Sequence, residues 1–186
     1  MADFFAARTW ALDRSAPPGP VLAALAPSSR FAFRGRSAAI NEASIALGLT
    51  LPREPRRATV KGERAALWLG PDEWLLLAPA MEEPALRSAL RNALQGLPHS
   101  LVDLGHAHAG LTVSGPAAEA VLNAGCPLDL DLSIFRVGEC TRTVFAKAEI
   151  ALWRVRSDRF RLETDRSYAA YVWQLLSDAA CEYEIQ

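Results

Sequence analysis

The sequence predicts an α+β fold made of two related β-α-β-β-β-α units, with antiparallel sheets and helices packed on them. Three observations predict it. The stretch Leu67–Ala78, LWLGPDEWLLLA, has two apolar runs on either side of Gly70-Pro71-Asp72-Glu73. Gly70 is free to take a positive φ, Pro71 presets φ near −65°, and Asp72 can bond the backbone ahead of it, so the stretch reads as a β-hairpin. A second hairpin, Ala151–Leu162, repeats the pattern with a more polar return strand. Helical patterns bracket both hairpins, without the long strand-helix alternation that builds a parallel sheet.

Taken in order, residues 1–20 carry Phe4, Phe5, Trp10 and Leu12 and then a proline-rich stretch, a leader that packs on its own body or on a partner. Val21–Leu25 is a short apolar run. Arg30–Arg34 alternates Phe31 and Phe33 with smaller or charged neighbours, the period of a strand. Ser37 suits a helix N-cap, Ile40, Ala43, Ser44 and Leu47 share a helix face, and Gly48 suits the C′ position. Residues 50–57 read as a loop. Ala58–Lys61 and Ala65–Leu69 read as strands around Gly62. Glu82–Gln95 reads as a helix, with Glu82, Glu83 and Pro84 at its start and Leu86, Leu90, Ala93 and Leu94 on its buried stripe.

A second pass follows. Leu101–Gly105 is apolar around Asp103, and Leu111–Val113 is a strand. Pro116 opens a helix with Ala117, Ala120, Val121 and Ala124 inward, and Gly125 closes it. Cys126–Val137 is a loop rich in Leu and Asp. Thr141–Phe145, Ile150–Val155 and Phe160–Glu163 are strands. Ser167 caps a last helix with Tyr171, Val172, Leu175, Leu176 and Ala179 on one side. The passes keep register: Gly35 and Gly115 are 80 positions apart, Trp68 and Trp153 are 85, and Trp74 and Phe160 are 86. The expected organisation is a leader over 1–20 and one domain over 21–186, made of pseudo-repeats at about 21–97 and 98–183.

Charge and composition exclude several classes. Twenty basic against 21 acidic residues give a net charge of −1, which argues against a general nucleic-acid binder. Cys126, Cys140 and Cys181 are odd in number and contain no C-x-x-C, a pattern of free thiols in a reducing compartment. No apolar run reaches the length of a membrane span, and no secretory signal is visible, so the expected location is the cytoplasm.

No G-x-G-x-x-G, G-x-x-x-x-G-K-[ST] or G-x-S-x-G motif occurs, so no nucleotide loop or hydrolase elbow is predicted. Titratable groups concentrate at His99, Asp103, His106 and His108. In a strand, His106 and His108 would share a face; with Asp103 or Cys126 they could hold zinc, and otherwise they form a polar edge near a turn. Asp103 either bonds backbone amides of that turn or touches a pterin or substrate. Arg142 and Arg166 could each fork onto a carboxylate ligand or pair with a nearby acid. Trp68 and Trp153 are expected in matching core slots, whereas Trp10, Trp74 and Trp173 are expected to include partner contacts.

The run LVDLGHAHAGLTVSGPAAEAVLNAGCPLDL resembles the segment of the folate-binding glycine cleavage T-protein superfamily that joins a D-L-S-type strand, a strand ending in V-x-G and an alanine-rich helix. With LWLGPDEWLLL, TRTVFAKAEIALWR and RSYAAYVWQLLSDAA, the chain from about Arg30 to Glu182 resembles the gamma-subunit family of heterotetrameric sarcosine oxidase. The resemblance implies the fold of the folate-binding domain of the T-protein. It implies a complex that oxidatively demethylates sarcosine to glycine and passes the one-carbon unit to tetrahydrofolate. It places FAD, FMN, NAD and tetrahydrofolate on alpha, beta and delta partner subunits, with no cofactor, catalytic residue or unaided activity in this chain. Self-association is the other arrangement for the isolated chain. The alternative function is a stand-alone folate-binding or one-carbon-transfer protein built on Asp103, and a third reading is a metal module on His106 and His108.

Overall fold

The computed structural model describes residues 20–183, so the leader with Trp10 lies outside the described residues. The chain divides into two compact units. Unit I is Pro27–Ala107, and unit II combines the described residues up to Ala26 with those from His108 onward.

Unit I contains β2 (Ser28–Gly35), α1 (Ser37–Leu47), β3 (Ala58–Lys61), β4 (Arg64–Gly70), β5 (Glu73–Pro79), α2 (Glu83–Ala93) and β6 (His99–Asp103). Its five-stranded antiparallel sheet runs β3-β4-β5-β2-β6. Unit II contains β1 (Val21–Ala24), β7 (His108–Ser114), α3 (Ala118–Asn123), β8 (Cys140–Phe145), β9 (Ala148–Arg156), β10 (Arg159–Asp165) and α4 (Arg166–Cys181). Its sheet, also five-stranded and antiparallel, runs β1-β7-β10-β9-β8. Read from β6 in unit I and from β1 in unit II, the two sheets have one order.

That order includes two strands whose periodicity in the sequence is weak, the second of them covering the D-L-S-type strand of the resemblance. Val21–Ala24 pairs with β7, with Leu22 opposite Val113, and His99–Asp103 pairs with β2, with Leu101 opposite Phe33. The sheets therefore do not follow a division at residue 97. The first described strand lies in the sheet of the second pass, and the strand that opens the second pass lies in the sheet of the first. Both are edge strands whose side chains are at most half-buried, so their patterns carry little hydrophobic signal.

The predicted hairpin forms, with Pro71 and Asp72 as its turn. Gly70 does not take a positive φ; the strand bulges between Trp68 and Gly70 instead. Gly48 sits at φ +70° after α1, where its amide bonds Ile45 O, as the C′ reading requires. Arg36 rather than Ser37 stands at the N-cap of α1. Ser44 instead bridges, donating to Ile40 O (2.7 Å) and accepting Leu51 N–H (3.1 Å).

Each sheet buries one face under its helices. In unit I, Phe31, Phe33, Ala66, Trp74, Leu76 and Ala78 meet Ala43 and Leu47 of α1 and Leu86 and Leu90 of α2. In unit II, Leu111, Val113, Ile150, Leu152, Phe160 and Leu162 meet Val121 and Leu122 of α3 and Val172 and Leu176 of α4. The inward face of α3 is thus Ala118, Val121 and Leu122, with Ala124 exposed. On α4 it is Ala169, Val172, Leu176 and Ala180, with Tyr171 exposed.

Register corrects one pairing of the two passes. Trp68 lies opposite Trp74, and Arg154 lies opposite Phe160. Trp74 and Phe160 are 86 positions apart, as are Leu86 and Val172, Leu90 and Leu176, and Leu94 and Ala180. The partner of Trp68 at that spacing is Arg154, not Trp153. A slip of one residue along a strand moves a side chain to the other face. Trp68 packs against the core of unit I, whereas Trp153 belongs to the opposite face of its sheet and matches Leu67.

Candidate functional site

The residues singled out by sequence fall into separate environments. Asp103 ends β6 in unit I. Its Oδ1 accepts the Gly105 amide at 2.7 Å and its Oδ2 accepts from the Arg87 guanidinium, which also reaches Glu83 on α2. The turn role expected of Asp103 is present, with an added tie to α2. His106 lies in the turn after Asp103, exposed, and not in a strand. His108 opens β7 in unit II, half-buried, with Nε2 3.1 Å from Asp165. A shared strand face for the two imidazoles therefore does not form. Among the described residues, no group of three or more His, Cys, Asp and Glu is placed to hold a metal ion. His99 is exposed and lines an open cavity of about 470 Å³ beside the start of α1, with Arg34, Arg36, Ser37, Asp72 and Ser100.

Arg142 on β8 pairs with Glu149 across the hairpin to β9, at 3.0 Å. Arg166 is exposed at the first position of α4. Trp74 is 1% exposed; its Nε1 donates to Pro52 O at 2.7 Å and its ring lies 5.9 Å from that of Phe33. That burial overturns the expectation of a partner contact for Trp74, because a ring 1% exposed with its N–H satisfied inside the chain is core. Trp173 is partly buried against the core of unit II. Burial pushes the Cys126 thiol above its ordinary range.

Sequence reasoning missed a buried charge in unit II. Arg154 is 0% exposed, in phase with the core residues Ile150 and Leu152 on β9. Its guanidinium carbon lies 4.5 Å from the centre of the Phe160 ring. It donates to Ser157 O (3.1 Å), to the Glu119 carboxylate on α3 and to Leu130 O. A buried guanidinium needs such partners. The available signal was its phase: an arginine at i+2 from Leu152 and i+4 from Ile150 must face the core.

The arrangement ties helices, strands and loops together within each unit. It defines a two-unit α+β scaffold of the type found in aminomethyltransferases. Glycine cleavage system aminomethyltransferase T from Bartonella henselae is similar over 86% of this chain and 45% of its own, with a TM-score of 0.67; at 19% identity the likeness is one of fold. A chain of the heterotetrameric sarcosine oxidase from Corynebacterium sp. U-96, solved in complex with pyrrole 2-carboxylate, is similar over 90% of this chain and 86% of its own. It has a TM-score of 0.84 and 30% identity. Residues 33–182 match the model of the "Sarcosine oxidase, gamma subunit family", and the chain belongs to that family. Sarcosine oxidase subunit gamma of Corynebacterium sp. (strain U-96) is 38% identical over 64% of this chain, a stretch that spans 57% of that relative's length. The subunit gamma of Arthrobacter sp. is 35% identical over 74% of this chain and 68% of its own. No helix among the described residues is long and apolar enough to cross a membrane.

Proposed function

We propose that this chain is the non-catalytic gamma subunit of a sarcosine oxidase-type complex. In that reading, alpha, beta and delta partner subunits carry FAD, FMN, NAD and tetrahydrofolate. The complex demethylates sarcosine oxidatively to glycine and passes the one-carbon unit to the folate. This chain contributes a folded surface and no reacting group, and it works in the cytoplasm. The observation that carries the reading is the family match over residues 33–182 together with the TM-score of 0.84 against a sarcosine oxidase chain. The shared strand order of the two sheets supports a further part of it, that the chain is two copies of one sheet-and-helix unit.

Co-expression with the three partner subunits and size exclusion tests the reading. The chain is expected to co-elute with a flavin-bearing complex that oxidises sarcosine, and to turn over no amine alone. Elution of the chain by itself, with the others assembled, overturns it. Stand-alone folate binding is separated by calorimetry, where the isolated chain is expected to give no heat with tetrahydrofolate at millimolar concentration.

A further inference from the structure

The loop between α3 and β8 is fixed in place and yet holds apolar side chains in water. Leu132, Ile134 and Val137 are 45%, 52% and 48% exposed, within six positions of one segment. The segment has no regular secondary structure, but its backbone is pinned along its length. Leu130 O accepts from the buried Arg154 guanidinium. Asp131 O accepts the amides of Ile134 (3.0 Å) and Phe135 (2.8 Å). The Asp131 carboxylate accepts the Ser133 amide (2.8 Å) and hydroxyl (2.5 Å). Phe135 is fully buried, stacked on Phe160 with ring centres 6.5 Å apart. Gly138 N–H donates to Arg154 O, and Arg154 N–H donates to Glu139 O, both at 2.9 Å.

Exposed apolar side chains scattered singly on a surface need no explanation, and Met81 and Val102 of unit I are of that kind, whereas Ile45 and Val60 line one open cavity beside the end of α1. Three on one immobilised loop are different. Their ordering entropy is already spent on folding, which is what favours tight association. The loop's charge is one-sided. Asp129, Asp131 and Glu139 stand against Arg136, whose Nε turns back onto Ser133 O at 3.3 Å. The hydrogen bonds from Ser133 keep Asp131 ionised below the usual carboxylate range.

We infer that the loop from Asp129 to Val137 is a docking surface for a partner subunit of the complex, one that presents an apolar depression bordered by Lys or Arg side chains. Leu132, Ile134 and Val137 fill the depression, and the acidic side chains meet its basic border. Arg154 acts as a positioning residue: it touches no partner and holds the loop's shape from beneath. This inference rests on membership in the complex proposed above.

The test uses the co-expressed complex. Leu132→Ser with Val137→Ser is expected to weaken association by tenfold or more, with the melting temperature of the isolated chain unchanged to within a few degrees. Ile45→Ser with Met81→Ser, on exposed positions of unit I, is expected to leave association unchanged. Raising the salt from 0.1 to 0.5 M is expected to weaken the wild-type complex several-fold. If the Leu132/Val137 pair lowers the melting temperature further than that, Leu132→Ser alone carries the test, with a loss of about threefold expected. A wild-type chain that assembles, and a variant that assembles equally tightly, overturns the docking surface and leaves the proposed function standing. A wild-type chain that never assembles overturns the proposed function itself.

Discussion

The two units solve one packing problem with different chemistry. Under the helices of unit I, the return strand of the hairpin places Trp74 opposite Trp68, and the indole N–H is satisfied by Pro52 O. Under those of unit II, the equivalent strand places Phe160 opposite Arg154. Phe160 has no polar atom to satisfy, but its neighbour carries a full charge that requires acceptors from α3, from the following loop and from the hairpin turn. An indole pair can be buried locally. A guanidinium gathers distant segments around itself, and in unit II that group fixes the long loop before β8. Two sheets of one strand order can therefore keep a plain core in one unit and organise a surface loop in the other.

The contrast can be broken at its centre. Trp74→Ala removes a fully buried indole and leaves Pro52 O without its donor, and a loss of about 4 kcal/mol is expected. Arg154→Met keeps volume but strips Leu130 O and Glu119 of their partner, and a loss of about 3 kcal/mol is expected. Denaturant unfolding gives both magnitudes. Hydrogen exchange decides between them: Trp74→Ala should loosen β2, β4 and β5 first, whereas Arg154→Met should loosen residues 129–139 first. Equal loosening of both units by either variant would erase the distinction.

A smaller effect comes from close approaches. An added Cβ at Gly35 would lie 2.7 Å from the Phe33 ring and 2.9 Å from the Ala39 methyl. One at Gly125 would meet the Phe145 ring at 2.8 Å. Gly35→Ala is expected to cost about 2 kcal/mol and Gly125→Ala about 1 kcal/mol, read as melting shifts.

How much of this was legible follows from where each signal resides. The Leu67–Ala78 hairpin, the glycine stop of α1 and the Leu86, Leu90 and Leu94 stripe of α2 are local, and the sequence displays them. The exchange of β1 and β6 is not local: Leu22 meets Val113, far along the chain, and four half-exposed residues have no pattern to announce it. Trp68 and Trp153 share a side chain but not a strand phase, and phase decides which face a side chain occupies. Phase alone places Arg154 in the core. Of the suggested site residues, the fold brings Asp103 to Arg87 and His108 to Asp165, but it puts His106 in a turn and Trp74 in the core.

The smallest effect sharpens the comparison through acidity. Asp131 is held below its ordinary value of 3.8 by Ser133. Its folded form therefore binds its proton less readily than the unfolded chain does. The stabilisation is present above about pH 4 and is lost as pH falls through the folded value. An NMR titration should find the Asp131 carboxyl moving below 3.8, and Ser133→Ala should return it toward that value.

The exchange of edge strands also sets an order of events during synthesis. Every strand of the sheet in unit I has left the ribosome once Asp103 has emerged, so that sheet can close while the rest of the chain is still being made. Val21–Ala24, made earlier, has no partner until His108–Ser114 follows. For that interval the nascent protein carries one completed half and one waiting strand, and a stall or truncation just beyond Ala107 would release a folded half with a loose apolar end.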